Sequence, residues 1–224
     1  LVVLSLGDNV SGVIHEELQK HGHQHIVDQV YLGALTMSLF LRRLLALGPF
    51  PKIRFSCVSG NHGRLSDKKE SKRYYKNFDY LFNSIVSTAL RDIPQIQIHI
   101  PKCLFTIVEV AGHRILQSHG HELPPSSLGI PLYSVNRGSA AYQELFSIAD
   151  GTRFDYWVLG HYHRPAELDN AIINGTMAGL SEFGIGKFKP IRPMQKLIGF
   201  NSRWGKSWEY PIRLDKAPDE AKVY

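Results

Sequence analysis

The chain has 224 residues, 43% hydrophobic and 21% charged, the composition of an ordinary globular protein able to bury a sizeable core. It carries 26 Lys and Arg against 20 Asp and Glu, and the resulting net charge of +6 favours anionic partners such as phosphates or nucleic acid. No continuous apolar run approaches the roughly 18 residues of a bilayer span, and no secretory signal is recognisable at residues 1–6. Cys57 and Cys103 both sit inside apolar runs, as buried free thiols in a reducing compartment would. The expectation is a single domain over residues 1–224, cytoplasmic and without a membrane partner.

Residues 1–6 form a short apolar run ending at Gly7-Asp8, the pattern of a buried parallel strand. Residues 26–47 carry a long helical pattern closed by Gly48-Pro49. Residues 52–58 read as a second buried strand that runs into Ser59-Gly60-Asn61-His62. A helical stripe of Tyr75, Phe78, Phe82, Ile85 and Val86 predicts a helix over residues 68–90. Two alternating runs around Ala111-Gly112 predict a hairpin over residues 103–117, which delivers Ser118-His119-Gly120-His121. A helix is expected at 140–149 and strands at 156–159 and 171–173. The remaining third, rich in Gly, Pro and aromatics, reads as β structure and loop. Within it, residues 200–208 suggest two strands joined by a tight turn, with Trp204 and Trp208 as packing residues.

Four predicted strand ends share one design: Gly7-Asp8, Gly60-Asn61-His62, His119-Gly120-His121 and Gly160-His161-Tyr162-His163. In α/β sheets, ligands gather beyond the carboxyl ends of strands. Each end here pairs a glycine, which permits a sharp turn, with side chains able to bind metal. His161 and His163, two apart, would share a strand face. Carboxylate, imidazole and amide oxygen form a borderline donor set suited to Mn, Fe, Zn or Ni.

In this order the four motifs resemble those of the calcineurin-like metallophosphoesterase superfamily, from Gly7 to about Arg164. The resemblance implies an α/β fold, a four-layer α/β/β/α sandwich with two central mixed sheets, holding two divalent metal ions, Mn favoured. It implies that Asp8 bridges both ions, that Asn61, His119 and His161 bind the second, and that His163 binds the first. His62 would stand beside the scissile phosphate as general acid or charge stabiliser, and with Asp8 it forms the catalytic pair. The implied reaction is hydrolysis of a phosphodiester by a metal-bridging hydroxide. The family pattern opens with an Asp-x-His motif that does not precede Asp8 here, so a leading strand is expected upstream of Leu1. Gly63 stands where the family usually has an acidic residue. The layout is also similar to phosphoesterases of bacteriophages and prophages labelled as DNA exonucleases.

The basic runs refine the substrate. Residues 64–76 carry six basic and two acidic side chains interleaved with Tyr74 and Tyr75, and residues 187–206 carry six basic and no acidic ones. Basic residues beside aromatics neutralise phosphates and stack bases. DNA or RNA is therefore the expected substrate, with Arg64, His121, Lys68, Lys72 and His15 as candidate phosphate contacts. Small phosphoesters remain an alternative substrate, and a non-catalytic binding module that kept the fold is another reading. Of the 11 histidines, His21, His23 and His25 read as a solvated loop, and His99 and His113 as structural.

Overall fold

The structure is a computed structural model that describes residues 1–14, 25–65, 74–123, 129–178 and 192–216. The chain is a mixed α/β protein and divides into two compact units. The first comprises residues 1–106 with 117–119, and the second comprises residues 107–116 with 120–224.

In the first unit, strands β1 (Val2–Ser5), β2 (Ile53–Cys57) and β3 (Ile96–His99) form a parallel sheet in that order. Two helices alternate with them, α1 (Ile26–Leu47) and α2 (Phe78–Ala89). β2 lies between its neighbours and alternates Ile53, Phe55 and Cys57, all completely buried, with Arg54 and Ser56. They pack with Val30, Ala34 and Leu41 of α1 and Phe82 and Val86 of α2 in one core cluster. α1 matches its expected span, and the Gly48 amide closes it on the Leu44 carbonyl at 3.0 Å. By length and composition α1 could cross a membrane, although residues such as Gln29, Thr36 and Ser38 break its sequence into short apolar runs. One side of it lies in the core of this unit. α2 starts at Phe78, so the expected helix does not include residues 74–77, and its predicted first residues, 68–73, lie outside the described residues. Asn77 accepts the Asp79 amide at 2.8 Å and so caps the helix, and residues 74–76 form a turn.

In the second unit, β4 (Phe105–Val110), β5 (His113–Ser118), β6 (Tyr156–Leu159), β7 (Ala166–Glu167) and β8 (Ala171–Ile173) form a sheet ordered β4-β5-β6-β8-β7. The predicted hairpin turn is present, with Ala111 at φ 50° and Gly112 at φ 84°, the two left-handed residues of a type I′ turn. α3 (Leu132–Asp150) is longer than expected and closes on Gly151 in the left-handed conformation. Trp157 is completely buried, with the Tyr142 ring edge-on at 5.3 Å.

The last strands, β9 (Met194–Asn201) and β10 (Gly205–Arg213), pair antiparallel as a hairpin. There Trp204 and Trp208 are 72% and 54% exposed, more open than the packing role at the sandwich edge expected of them. Trp208 lies across Gly199, where an added Cβ would come within 2.1 Å of its ring. Cys57 is buried as expected, but Cys103 is exposed because it falls in a loop before β4. His99 and His113 are structural, as expected: His99 meets Thr106 Oγ1 and His113 meets the Asn201 carbonyl, each at 3.0 Å. His25 ends its loop as the cap of α1. His15, His21, His23, Lys68, Lys72 and residues 187–191 lie outside the described residues.

Two glycines separate conformational need from crowding. Gly7 has φ +85° and a Cβ there would meet the Gly60 amide nitrogen at 2.4 Å, whereas Gly112, at φ +84°, faces open space. Gly112→Ala should therefore cost only the left-handed backbone, about 1–2 kcal/mol. Gly7→Ala should cost clearly more, because two loop backbones must separate. Urea unfolding of both variants measures the difference.

Candidate metal centre

The first unit brings four of the predicted site residues together. Asp8 and Asn61 follow the ends of β1 and β2, and His119 follows β5. Asp8 Oδ2 lies 3.0 Å from His119 Nε2, and Asn61 Oδ1 lies 3.1 Å from the same nitrogen. His62 donates its backbone N–H to Asp8 Oδ1 at 2.8 Å, and its Nε2 stands 3.9 Å from Asp8 Oδ2. Arg64 closes the loop by donating from Nε to the Asn61 carbonyl at 3.0 Å.

The orientation of His119 is fixed from behind. Its Nδ1 lies 2.6 Å from the Leu6 carbonyl, an acceptor, so Nδ1 carries the proton and Nε2 faces Asp8 and Asn61. Metal-ligating histidines are commonly oriented by such a backbone contact. The strand end that carries His119 is itself pinned. Gln117, completely buried, accepts from Ser56 Oγ at 2.7 Å and donates to the carbonyls of Ser5 and Ser56.

The donor set fits a divalent cation. A carboxylate oxygen, an amide oxygen and an imidazole nitrogen converge, and such a mixed set suits borderline metals. Asp8 Oδ2 is buried and, despite its closeness to His119, makes no hydrogen bond of good geometry among the described residues. An oxygen held dry and poorly satisfied is what a metal ligand looks like before its metal arrives.

The electrostatics follow from the pairing. Burial alone would raise the Asp8 carboxyl, but the close positive charge of His119, then the charge and backbone N–H of His62, outweigh it and hold Asp8 well below the usual carboxylate range. Burial alone would lower the His119 imidazole, but the Asp8 carboxylate pushes it up to about 9.

Asp79 is the residue that sequence reading missed. It stands in the first turn of α2 and is completely buried. Its Oδ2 accepts the backbone N–H of Asp8 at 2.9 Å and of Gly60 at 2.7 Å, and its Oδ1 accepts that of Asn9 at 2.9 Å. Asn77 adds a bond from its amide to the Gly60 carbonyl at 2.9 Å. Burial, and then the Asp8 charge, raise the Asp79 carboxyl, while these amides pull it back. The geometry also accounts for Gly63: a Cβ there would sit 2.0 Å from Asn77 Oδ1 and 2.9 Å from the Asp79 amide.

The second unit holds the remaining histidines. His161 and His163 have φ of 60° and 62°, and His121 and His161 stack edge-on at 6.4 Å. Gly120, at φ +106°, lets the chain pass close to Leu159 and His161. Glu122, also missed, accepts the Gly120 amide at 3.0 Å and the Tyr142 hydroxyl at 3.2 Å, and so holds the turn bearing His121. Burial, then the Glu122 charge, push the Tyr162 hydroxyl up to about 12.

No family model matches the chain, and no curated protein matches it. Among solved structures it is similar to a single mutant of vacuolar protein sorting 29 (Vps29) from Entamoeba histolytica, at 15% identity and a TM-score of 0.43, covering 96% of this chain and 98% of that one. It is also similar to wild-type Vps29 of the same organism complexed with Zn²⁺, at 17% identity and a TM-score of 0.42, covering 81% and 84%. A third similarity is to a conserved uncharacterized protein, a predicted phosphoesterase, from Streptococcus pneumoniae. There the identity is 10% and the TM-score 0.33, covering 80% and 90%.

Two outcomes are expected. Asp79→Ala leaves three backbone amides, that of Gly60 buried and those of Asp8 and Asn9 part-buried, without their acceptor and should cost about 3–5 kcal/mol in urea unfolding. The pH dependence of the metal-free protein is set by the Asp8–His119 pair. His119 is raised from 6.5 to about 9, so its contribution is complete below about pH 6.5 and lost as pH rises through 9. Asp8 is depressed, so its contribution is complete above about pH 4 and lost only in strong acid. With a chelator present, the urea midpoint should fall between neutral pH and pH 9, and His119→Gln should flatten that fall.

Proposed function

We propose that the chain is a metal-dependent phosphoesterase that hydrolyses phosphodiester bonds, with nucleic acid as substrate. The convergence of Asp8 Oδ2 and Asn61 Oδ1 on His119 Nε2 carries this reading. Asp8, Asn61 and His119, with His161 added, would hold one divalent ion. Asp8 and His163 would hold a second, and Mn²⁺ is the favoured metal. When bound, such ions neutralise charge on the phosphoryl oxygens and lower the pKa of water to near neutrality.

The chain's own side chains supply the rest. His62 is held by its Nδ1 against the Ser11 carbonyl at 3.0 Å, which leaves Nε2 as the edge facing the ligand oxygens. From there it gives a proton to the departing alkoxide oxygen. Arg64, tied to the Asn61 carbonyl, offers its guanidinium to a phosphate oxygen. His121, His15, Lys68 and Lys72 extend the phosphate contacts. The net charge of +6 favours a polyanion over a small neutral ester.

The test is incubation of the full chain with Mn²⁺ and single- or double-stranded DNA, alongside bis-aryl phosphate esters. Metal-dependent DNA cleavage is expected. Hydrolysis of the small esters alone would overturn the nucleic-acid assignment, and absence of metal uptake by calorimetry would overturn the whole proposal. Asn61→Ala and His119→Ala should each weaken metal binding by at least about tenfold. His62→Ala should leave metal uptake intact and lower kcat by about 10²–10⁴. Equal metal loss in all three variants would contradict these roles.

A further inference from the structure

Helix α1 has two apolar faces. Its inner side places Val30, Ala34, Ser38 and Leu41 in buried positions. On the opposite side Tyr31, Leu32, Leu35, Leu39 and Phe40 are 36–58% exposed. At 3.6 residues per turn Leu32, Leu35 and Leu39 lie on the outward side, with Tyr31 and Phe40 at the two edges of an arc whose centre falls between Leu35 and Thr36. Apolar side chains grouped in this way on a surface mark an interaction site.

We infer that this face pairs with the same face of a second copy, the two helices antiparallel about a two-fold axis between Leu35 and Thr36. The sequence of the arc is self-complementary about that point. An antiparallel two-fold sets Leu32 against Leu39 of the second copy near the axis, with Leu35 and Thr36 beside it and Tyr31 and Phe40 on the two flanks. The same operation sets Asp28 against Arg43 of the second copy, and both residues are exposed. Asp28 and Arg43 cannot pair within one helix, because they stand about 22 Å apart along its axis. Arg42 already donates to the Ala89 carbonyl at 2.7 Å, which leaves Arg43 as the cation of this pair.

The occupant follows from the charges. An apolar centre with an acid at one end and a base at the other matches its own inverted copy, and isologous two-fold pairing is the commonest form of self-association. An anionic lipid surface would gain nothing from Asp28. The ridge Tyr31, Leu35, Leu39, spaced four residues apart, is also the kind that packs into the groove of a facing helix.

Sedimentation velocity of the full chain over a concentration series tests the pairing, with a concentration-dependent dimer as the expected result. Leu39→Glu should give a monomer that keeps its helix content by circular dichroism. Asp28→Arg and Arg43→Asp should each weaken the dimer by about tenfold, since the pair occurs twice per dimer. The two substitutions together should restore it, which misfolding would not do. A wild-type chain that stays monomeric throughout overturns the inference, as does a dimer that survives Leu39→Glu. Cosedimentation with phosphatidylglycerol vesicles by a monomeric wild type would assign the face to a membrane instead.

Discussion

The carboxylate of Asp79 is the interaction on which the first unit's ligand loops depend. Where β1 and β2 end, the backbone amides of Asp8, Asn9 and Gly60 leave the sheet ladder and need new acceptors in a region without water. One buried carboxylate at the start of α2 takes all three. The helix N-terminus supplies a favourable potential for its charge, and Asn77 ties the same turn to the Gly60 carbonyl. Burying an anion costs several kcal/mol, which these charge-assisted bonds offset. Two loops distant in sequence thereby acquire a common anchor.

That anchor permits strain elsewhere. Among the described residues four non-glycine positions have left-handed backbones: Asp8, His161, His163 and Ala111. Ala111 belongs to the hairpin turn, where the conformation is required. The other three are candidate ligands. Each such backbone is unfavourable by about 1–2 kcal/mol and persists only where its surroundings over-determine it. For Asp8 the surroundings are visible: its amide is held by Asp79, and its carboxylate by the His62 amide and His119. Three of the four strained positions are thus candidate ligands, where geometry takes precedence over local backbone comfort.

The sequence displays some of this openly and hides the rest for a physical reason. Strands β1, β2, β6 and β8, helix α1 and the hairpin turn follow from local periodicity and turn chemistry, and the glycine-flanked donors follow from strand ends. Asp79, Gln117 and Glu122 leave no such trace. Each is a polar residue bound at least in part to backbone groups, and Asp79 and Gln117 find most of their partners tens of residues away. Short-range pattern assigns them to solvent. The same blindness made Cys103 look buried and the edge residue Trp208 look better covered than it is, because hydrophobicity alone does not say which face of an edge element is covered. The start of α2 was misplaced because the basic run before Asn77 has helix-forming composition, whereas the capping amide decides where the helix begins.

Asp79 also separates the order of the ligand cluster from the binding of metal. Without a metal, Asp8, Asn61 and His119 do not repel or scatter. The imidazolium of His119 lies between the two oxygens, at the end of a proton-bearing contact to Leu6 that does not change when Nε2 loses its own proton. A divalent ion held by these three residues would replace one proton and would meet donors already turned inward. The ordering entropy of two loops has been met by Asp79, Asn77 and Gln117, none of which needs the ion. Metal binding at such a centre is then an exchange of cations within a fixed frame, so the fold of the unit and the occupancy of the site are set by different residues.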